Sequence, residues 1–463
     1  SRIDKDDTTE FNIDTVSHTD TDRDVVSQSY RYRGQTTAVP TPSFDTAGVY
    51  GGISQVGNAT RENEITVSNS SYTNAYGGYT HVPTTVGAGV VRSTETESSH
   101  ANKITIAGSA NIGTVYGGYT DATAGKTWEN TVNVTGGSAT NVVGAWSAGD
   151  ATGNKVNVSG GNVTNVTGSV STGGAASNNE ITLKGGVTVG SVLGGQGATT
   201  EKNKVNLEGA TVNGAVTGGM TGGVSSGTGH ELTVRNTNRA DSIVGFGNLK
   251  FDVGTAGTNP MLTLTGSASA FDWQKLEAIG TTAGPVTLMQ SGAMMTFNGY
   301  DGALSKIDGG DTTEFNIDTE NRTASDNKVI AQSYQYRGQT NAVTSIGTDV
   351  YGGISRVANA TRENNITVSS GSYTNAYGGY TDSVPPLPGS DAKANSAEKN
   401  NSHDNTITIA GANVSGTVYG GYTNAAAGTA TKNTVNVTSG TVANVVGGSS
   451  AAGAASDNTI NLG

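Results

Sequence analysis

The sequence predicts an all-β chain: a parallel β-helix, or β-solenoid, with about 24–27 residues per rung, in two tandem copies joined by a non-repeat β module. Three observations predict it. First, a tetrapeptide typified by Val115-Tyr116-Gly117-Gly118 recurs, its second position falling at Tyr50, Tyr76, Tyr116, Val143, Thr167, Leu193, Thr217 and Val244. The steps are 26, 40, 27, 24, 26, 24 and 27 residues, and periods of ~20 to 50 mark solenoids, propellers or arrays. Second, a long unit returns: Thr8-Thr9-Glu10-Phe11-Asn12-Ile13-Asp14 reappears as Thr312 to Asp318, and Tyr72 to Thr80 reappears letter for letter as Tyr373 to Thr381. Third, only 33% of the 463 residues are hydrophobic and 68 are glycine. That is too little for a globular core but enough for the thin apolar strip that stacking makes continuous.

Each unit opens on N-x-[IV]-x-[VIL], as in Asn102-Lys103-Ile104-Thr105-Ile106 and Asn154-Lys155-Val156-Asn157-Val158. Alternation of period two marks a half-buried strand, so Ile104 and Ile106 point inward while Lys103 and Thr105 face out. Asn102 shares the isoleucines' parity. Stacked on the asparagine of the next rung, it predicts an inward hydrogen-bonded ladder at the strand's start. A turn follows, then a second strand whose first tetrapeptide position stays apolar (Val115, Val142, Val166, Val192, Val216, Ile243) and is read as inward. The variable second position is read as outward, and Gly117-Gly118 as a corner with positive φ.

Residues 1–48 form an irregular segment packing on the first rung. A first solenoid follows over 49–245, with a loop insertion at 81–100 that accounts for the long step. Residues 246–304 lose the short repeat, hold four of the five methionines, and read as a cap or spacer. The second copy, 305–463, comprises an irregular segment (305–349) and a solenoid (350–463) with its own insertion at 382–402. Its last residues, Asn458 to Leu462, fall level with Asn154 to Val158, so this copy is incomplete relative to the first.

The net charge is −12 and the basic residues form no run of five, which disfavours nucleic acid and anionic lipid as partners. The absence of any apolar stretch of ~18 residues predicts no transmembrane helix. Cysteine is absent. His18, His81, His100, His230 and His403 are read as loop or rung-edge residues without metal-ligand spacing. The acidic run Asp20 to Asp24 resembles the start of a calcium loop, but lacks the glycine and distal glutamate of a full site. With no paired carboxylates in register and no phosphate loop, no catalytic residue, cofactor or metal is expected.

The candidate contact residues are tyrosines. Tyr50, Tyr76 and Tyr116 hold the outward position in successive rungs, Tyr79 and Tyr119 follow the glycine pairs, and the second copy repeats them as Tyr351, Tyr377, Tyr419, Tyr380 and Tyr422. Two readings stand: stacking between rungs or cover for residues 1–48, and a contact surface for a glycan or another chain. Ice binding would need a regular outward array, and Asn133, Asn157 and Asn206 interrupt the threonine column of Thr66, Thr105 and Thr182.

The Asn-x-Val-x-Val and Val-Tyr-Gly-Gly units, with Phe246-Gly247-Asn248-Leu249-Lys250-Phe251 and Met261 to Gly266, resemble passenger regions of autotransporter-type surface proteins and adhesins of Gram-negative bacteria. The resemblance implies an extracellular β-helix at the bacterial cell surface, carried by a membrane barrel; this chain contains no run of ~10-residue alternating strands of that kind. The expected function is a non-enzymatic structural or adhesive surface protein that self-assembles head-to-tail into a filament through its solenoid ends. The alternative is a carbohydrate-binding adhesin module using the tyrosine strip.

Overall fold

The computed structural model describes residues 2–15, 25–39, 47–82, 92–266, 270–384 and 393–463. It is a parallel β-solenoid of about 15 turns, 60% strand and 1% helix. Two compact units share the chain: Ser1–Lys250 with Leu262–Ser269, and Phe251–Met261 with Ala270–Gly463. Residues 246–304, read above as one cap or spacer, are thus divided between them.

A turn of the first unit has three faces. The first face stacks Glu64–Ser68, Lys103–Ala107, Thr131–Val134, Lys155–Val158, Glu180–Lys184, Lys204–Glu208 and Glu231–Arg235, all parallel. The second stacks the tetrapeptide strands, such as Ser71–Thr80, Asn111–Thr120 and Ser138–Ser147. The third consists of two-residue strands: Thr60–Arg61, Ser99–His100, Thr127–Trp128, Ala151–Thr152 and Ala176–Ser177. Ser99–His100 belongs to the segment 81–100, so its far end has already rejoined the rungs. Pairing is in register, Ile65 on Ile104 on Val132 on Val156, and these side chains are all but inaccessible to solvent. The column Val115, Val142, Val166, Val192, Val216 and Ile243 is buried in the same way, as its constancy predicts. Each such side chain contributes roughly 1.5–3 kcal/mol by leaving water.

The asparagine ladder is present. Asn63, Asn102, Asn130, Asn154, Asn179 and Asn203 are buried one above another, each Nδ2 donating to the next Oδ1 at 2.8 to 3.2 Å. Asn130 shows why the column is stable. Its Nδ2 donates to Asn154 Oδ1 at 3.0 Å and to the Ser99 carbonyl at 2.9 Å. Its Oδ1 accepts from the Nδ2 of Asn102 at 3.0 Å and from that residue's backbone N–H at 3.1 Å. Both donors and both lone pairs are satisfied, which removes the penalty of burying an amide. The second unit repeats the column as Asn364, Asn405, Asn433 and Asn458.

The glycine pair is not a positive-φ corner. Gly117 and Gly118 lie inside the strand Asn111–Thr120, and neither is among the residues with positive φ. Their smallness is needed for a different reason. A Cβ on Gly118 would meet Asn130 Nδ2 at 2.5 Å and Oδ1 at 2.7 Å, and one on Gly117 would strike the Gly144 carbonyl oxygen. The left-handed corner sits instead on the residue before each ladder asparagine: Glu62, Ala101, Glu129, Asn178 and Lys202 have φ between 52° and 58°, and Gly153 has φ 65°. Non-glycine residues persist there because the amide that follows is held on every side.

Residues before the first rung form an antiparallel sheet, Arg2–Ile3, Thr9–Thr15 and Val25–Arg31. From it Glu10 enters the first rung and accepts from four donors: Ser54 Oγ at 2.7 Å, Gln55 N–H at 2.6 Å, Asn58 Nδ2 at 2.8 Å and Asn12 Nδ2 at 3.2 Å. Burial nonetheless pushes its carboxyl above the ordinary range. Glu314 occupies the same place in the second unit, with Ser355, Arg356, Asn359 and Asn316 as donors.

Asn130→Ala takes the acceptor from two donor hydrogens of Asn102 and a donor from the Ser99 carbonyl, while Asn154 Oδ1 keeps the backbone N–H of residue 130, so it is expected to destabilise the first unit by on the order of 3 kcal/mol. Gly118→Ala alone is expected to be similarly harmful. In the Asn130→Ala background, where the obstructing amide is gone, its cost should fall close to zero. Denaturant melts of the four proteins read this cycle, and additive costs would show that the amide is not the obstacle.

Candidate functional site: the tyrosine stack

The sequence-selected tyrosines come together in both units. Tyr50, Tyr76 and Tyr116 stack face to face along the second side, with centroids 5.0 and 5.3 Å apart and planes within 9°. Tyr79 and Tyr119 form a parallel stack at 5.1 Å, continued by Trp146 at 4.7 Å. The two stacks meet edge to face, Tyr76 on Tyr79 at 5.0 Å and 72°. Residues three apart face opposite ways on a straight strand, so this contact records a bend of the strand at Gly77-Gly78. In the second unit Tyr351, Tyr377 and Tyr419 stack at 5.1 Å, and Tyr380 stacks on Tyr422 at 5.1 Å.

Pairing in register causes the stacking, since strands ~4.8 Å apart place identical side chains nearly at ring-stacking distance. These tyrosines point away from the apolar interior, yet they are not an open surface. Tyr50 is 1% exposed and Tyr76 7%, packed with Val39 and Tyr30 from the segment before the first rung. Tyr351 and Tyr377 are buried alike, with Tyr334 against them. Tyr79, Tyr116, Tyr119, Tyr380, Tyr419 and Tyr422 are half-buried. Burial pushes the Tyr119 and Tyr380 phenols up to about 12, so at neutral pH they are uncharged.

Sequence reasoning overlooked Tyr72 and Tyr373, which belong to the duplicated Tyr72–Thr80 motif. Tyr72 lines a shallow groove of about 490 Å³ with Ser71, Thr73, Asn111 and Thr140. Tyr373 lines its counterpart of about 510 Å³ with Ser372, Thr374, Asn413 and Thr441. The letter-for-letter repeat was the available signal, and the structure sets Tyr72 in register with Ile112 of the next rung.

The histidines need correction at one position. His230 is not at a rung edge: it is fully buried and takes the ladder's next step after Asn203. Its Nδ1 accepts the Asn203 N–H at 3.1 Å, and its Nε2 lies 3.2 Å from the Ser226 carbonyl. His-Glu-Leu-Thr-Val at 230–234 keeps the alternation of N-x-[IV]-x-[VIL], with histidine in place of the asparagine and leucine at the third position, a signal visible in the sequence. His81 pairs with Asp121 at 2.5 Å, and His100 stacks on Trp128 at 4.1 Å while bonding Glu95 at 2.6 Å. His403 lies 2.6 Å from Asp404. His18 and the acidic run Asp20 to Asp24 lie outside the described residues. Among the described residues no three His, Asp or Glu side chains gather as metal ligands, and no helix is long and apolar enough to cross a membrane.

Comparison with protein-family models, curated proteins and solved structures gives no match.

Desolvation holds the His230 imidazole below its ordinary 6.5, against opposing pulls from the Ser226 carbonyl and then Glu201. A depressed histidine contributes stability that is complete above the unfolded value and is lost as pH falls through the folded one. Protonation would also put a proton on Nδ1, facing the Asn203 N–H. Hydrogen exchange at the Asn203 amide should therefore accelerate on acidification from pH 7.5 to 5 relative to the Asn130 amide. His230→Asn should abolish that difference, and an unchanged profile would remove His230 from the ladder.

Proposed function

We propose that the protein is a non-enzymatic structural and adhesive component of the bacterial cell surface, extracellular, which lengthens into filaments by adding rung upon rung. One observation carries this reading. Rung pairs on rung in parallel register, Ile407 on Val435 on Ile460, and the asparagine ladder follows the same step, Asn458 accepting from Asn433 at 2.9 and 3.0 Å. The contact is the same from rung to rung, so a rung of another copy can make it by parallel strand addition. A head-to-tail contact of this kind is heterologous and grows open filaments rather than closed dimers.

The stacking of the tyrosines favours this reading over a glycan platform. Within each stack the ring faces are occupied by neighbouring rings, and a sugar needs a free face.

Electron microscopy after dilution is expected to show fibres, and Ile460→Lys with Leu462→Lys to shorten or abolish them while melting is retained. Short monomeric particles alone would count against assembly. Tyr116→Ala with Tyr119→Ala is expected to leave glycan-array signals unchanged; a lost signal would restore the carbohydrate reading.

A further inference from the structure

The two units open on nearly the same cap. Thr8 to Asp14 is identical to Thr312 to Asp318, and Tyr32-Arg33-Gly34-Gln35-Thr36 to Tyr336-Arg337-Gly338-Gln339-Thr340. The inner contacts also match: Glu10 and Glu314 reach the same three positions of their first rungs, and Tyr32 and Tyr336 bond Asp7 and Asp311 in the same way. The outer faces differ. Phe11 is 38% and Ile13 49% exposed, while Phe315 is 2% and Ile317 0%. Gln28 and Ser29 are exposed, while Gln332 and Ser333 are buried.

What covers the second cap is visible within its own unit. The strand Val286–Asn298 pairs antiparallel with Ser325–Gln335, Thr287 opposite Ile330 and Met289 opposite Val329, with Leu288 and Met289 fully buried. Thr282 and Ser333 exchange hydrogen bonds, the Thr282 N–H to Ser333 Oγ at 2.7 Å and the Ser333 N–H to Thr282 Oγ1 at 3.2 Å. Tyr300 donates its hydroxyl proton to Asp318 at 3.0 Å. In the first unit Val25–Arg31, the counterpart of the paired strand, is the edge of its three-stranded sheet among the described residues.

We infer that the outer face of the first cap, built on Phe11, Ile13 and the edge of Val25–Arg31 that has no further strand paired to it among the described residues, is a docking surface for an apolar β-strand of the Val286–Asn298 type. The occupant is a further module of this kind, joining by antiparallel strand addition. The chain itself supplies the template: the same cap sequence, in the second unit, holds such a strand. This surface is separate from the rung contact made by Thr459–Leu462, so either assignment can fail without the other.

The test uses the full chain and a synthetic peptide spanning Thr282 to Tyr300. Saturable binding of one peptide per chain is expected, with slowed hydrogen exchange across Val25–Arg31 and no change across Ser325–Gln335, whose edge is already filled. Phe11→Asp with Ile13→Asp should weaken binding by about tenfold or more, the loss of an interface hot spot. A peptide carrying Leu288→Asp and Met289→Asp should not bind, which checks specificity without altering the protein's fold. Absence of binding, equal binding of the altered peptide, or protection that appears at Thr459–Leu462 instead would overturn the inference.

Discussion

The structure depends on one constraint: a column of asparagine amides must thread the solenoid interior with every donor and acceptor occupied. An amide buried in an apolar seam costs several kcal/mol when unpaired and almost nothing when its four bonds are made. Asn130 makes all four, and it can do so only because the rungs are in register. Register is therefore self-enforcing. A one-residue slip would break the amide column and turn the isoleucines of that face to solvent at the same time.

Other features follow from this column. The glycine pair of each rung exists because the amide lies against the strand, so that even a methyl group at Gly118 would overlap Asn130. The residue before the asparagine is forced into a left-handed conformation, tolerated by glutamate, alanine and lysine alike. Because polar bonding supplies specificity, the apolar strip can be thin, and a chain with 33% hydrophobic residues can be ordered throughout its described rungs. His230 is the informative exception: an imidazole replaces the amide, keeping the acceptor toward Asn203 while making that step sensitive to proton concentration.

Both units use a buried glutamate to anchor an antiparallel cap to the first rung. That anchoring solves the edge problem at one end of each solenoid, and the tyrosine stacks extend the cover along the outer side by joining the cap to the rungs through Val39, Tyr30 and Tyr334. The duplicated caps then diverge in what lies outside them. Identical letters with different burial mark the contrast as one of surroundings rather than of sequence, and that is why Phe11 and Ile13 point to a partner.

The sequence by itself determined the rung length, the inward columns, the asparagine ladder and the alignment of tyrosines, because each of these follows from strand parity and a repeat that places like on like. The loop residues at its insertions and the acidic run Asp20 to Asp24 carry no such period, and their letters left several readings open. Only the tertiary structure decided why the glycines are needed, that His230 continues the ladder, and that Tyr50 and Tyr76 are covered while Phe11 is not. These are questions of which atoms from distant segments approach within van der Waals distance, and periodicity specifies a residue's direction without specifying what it meets.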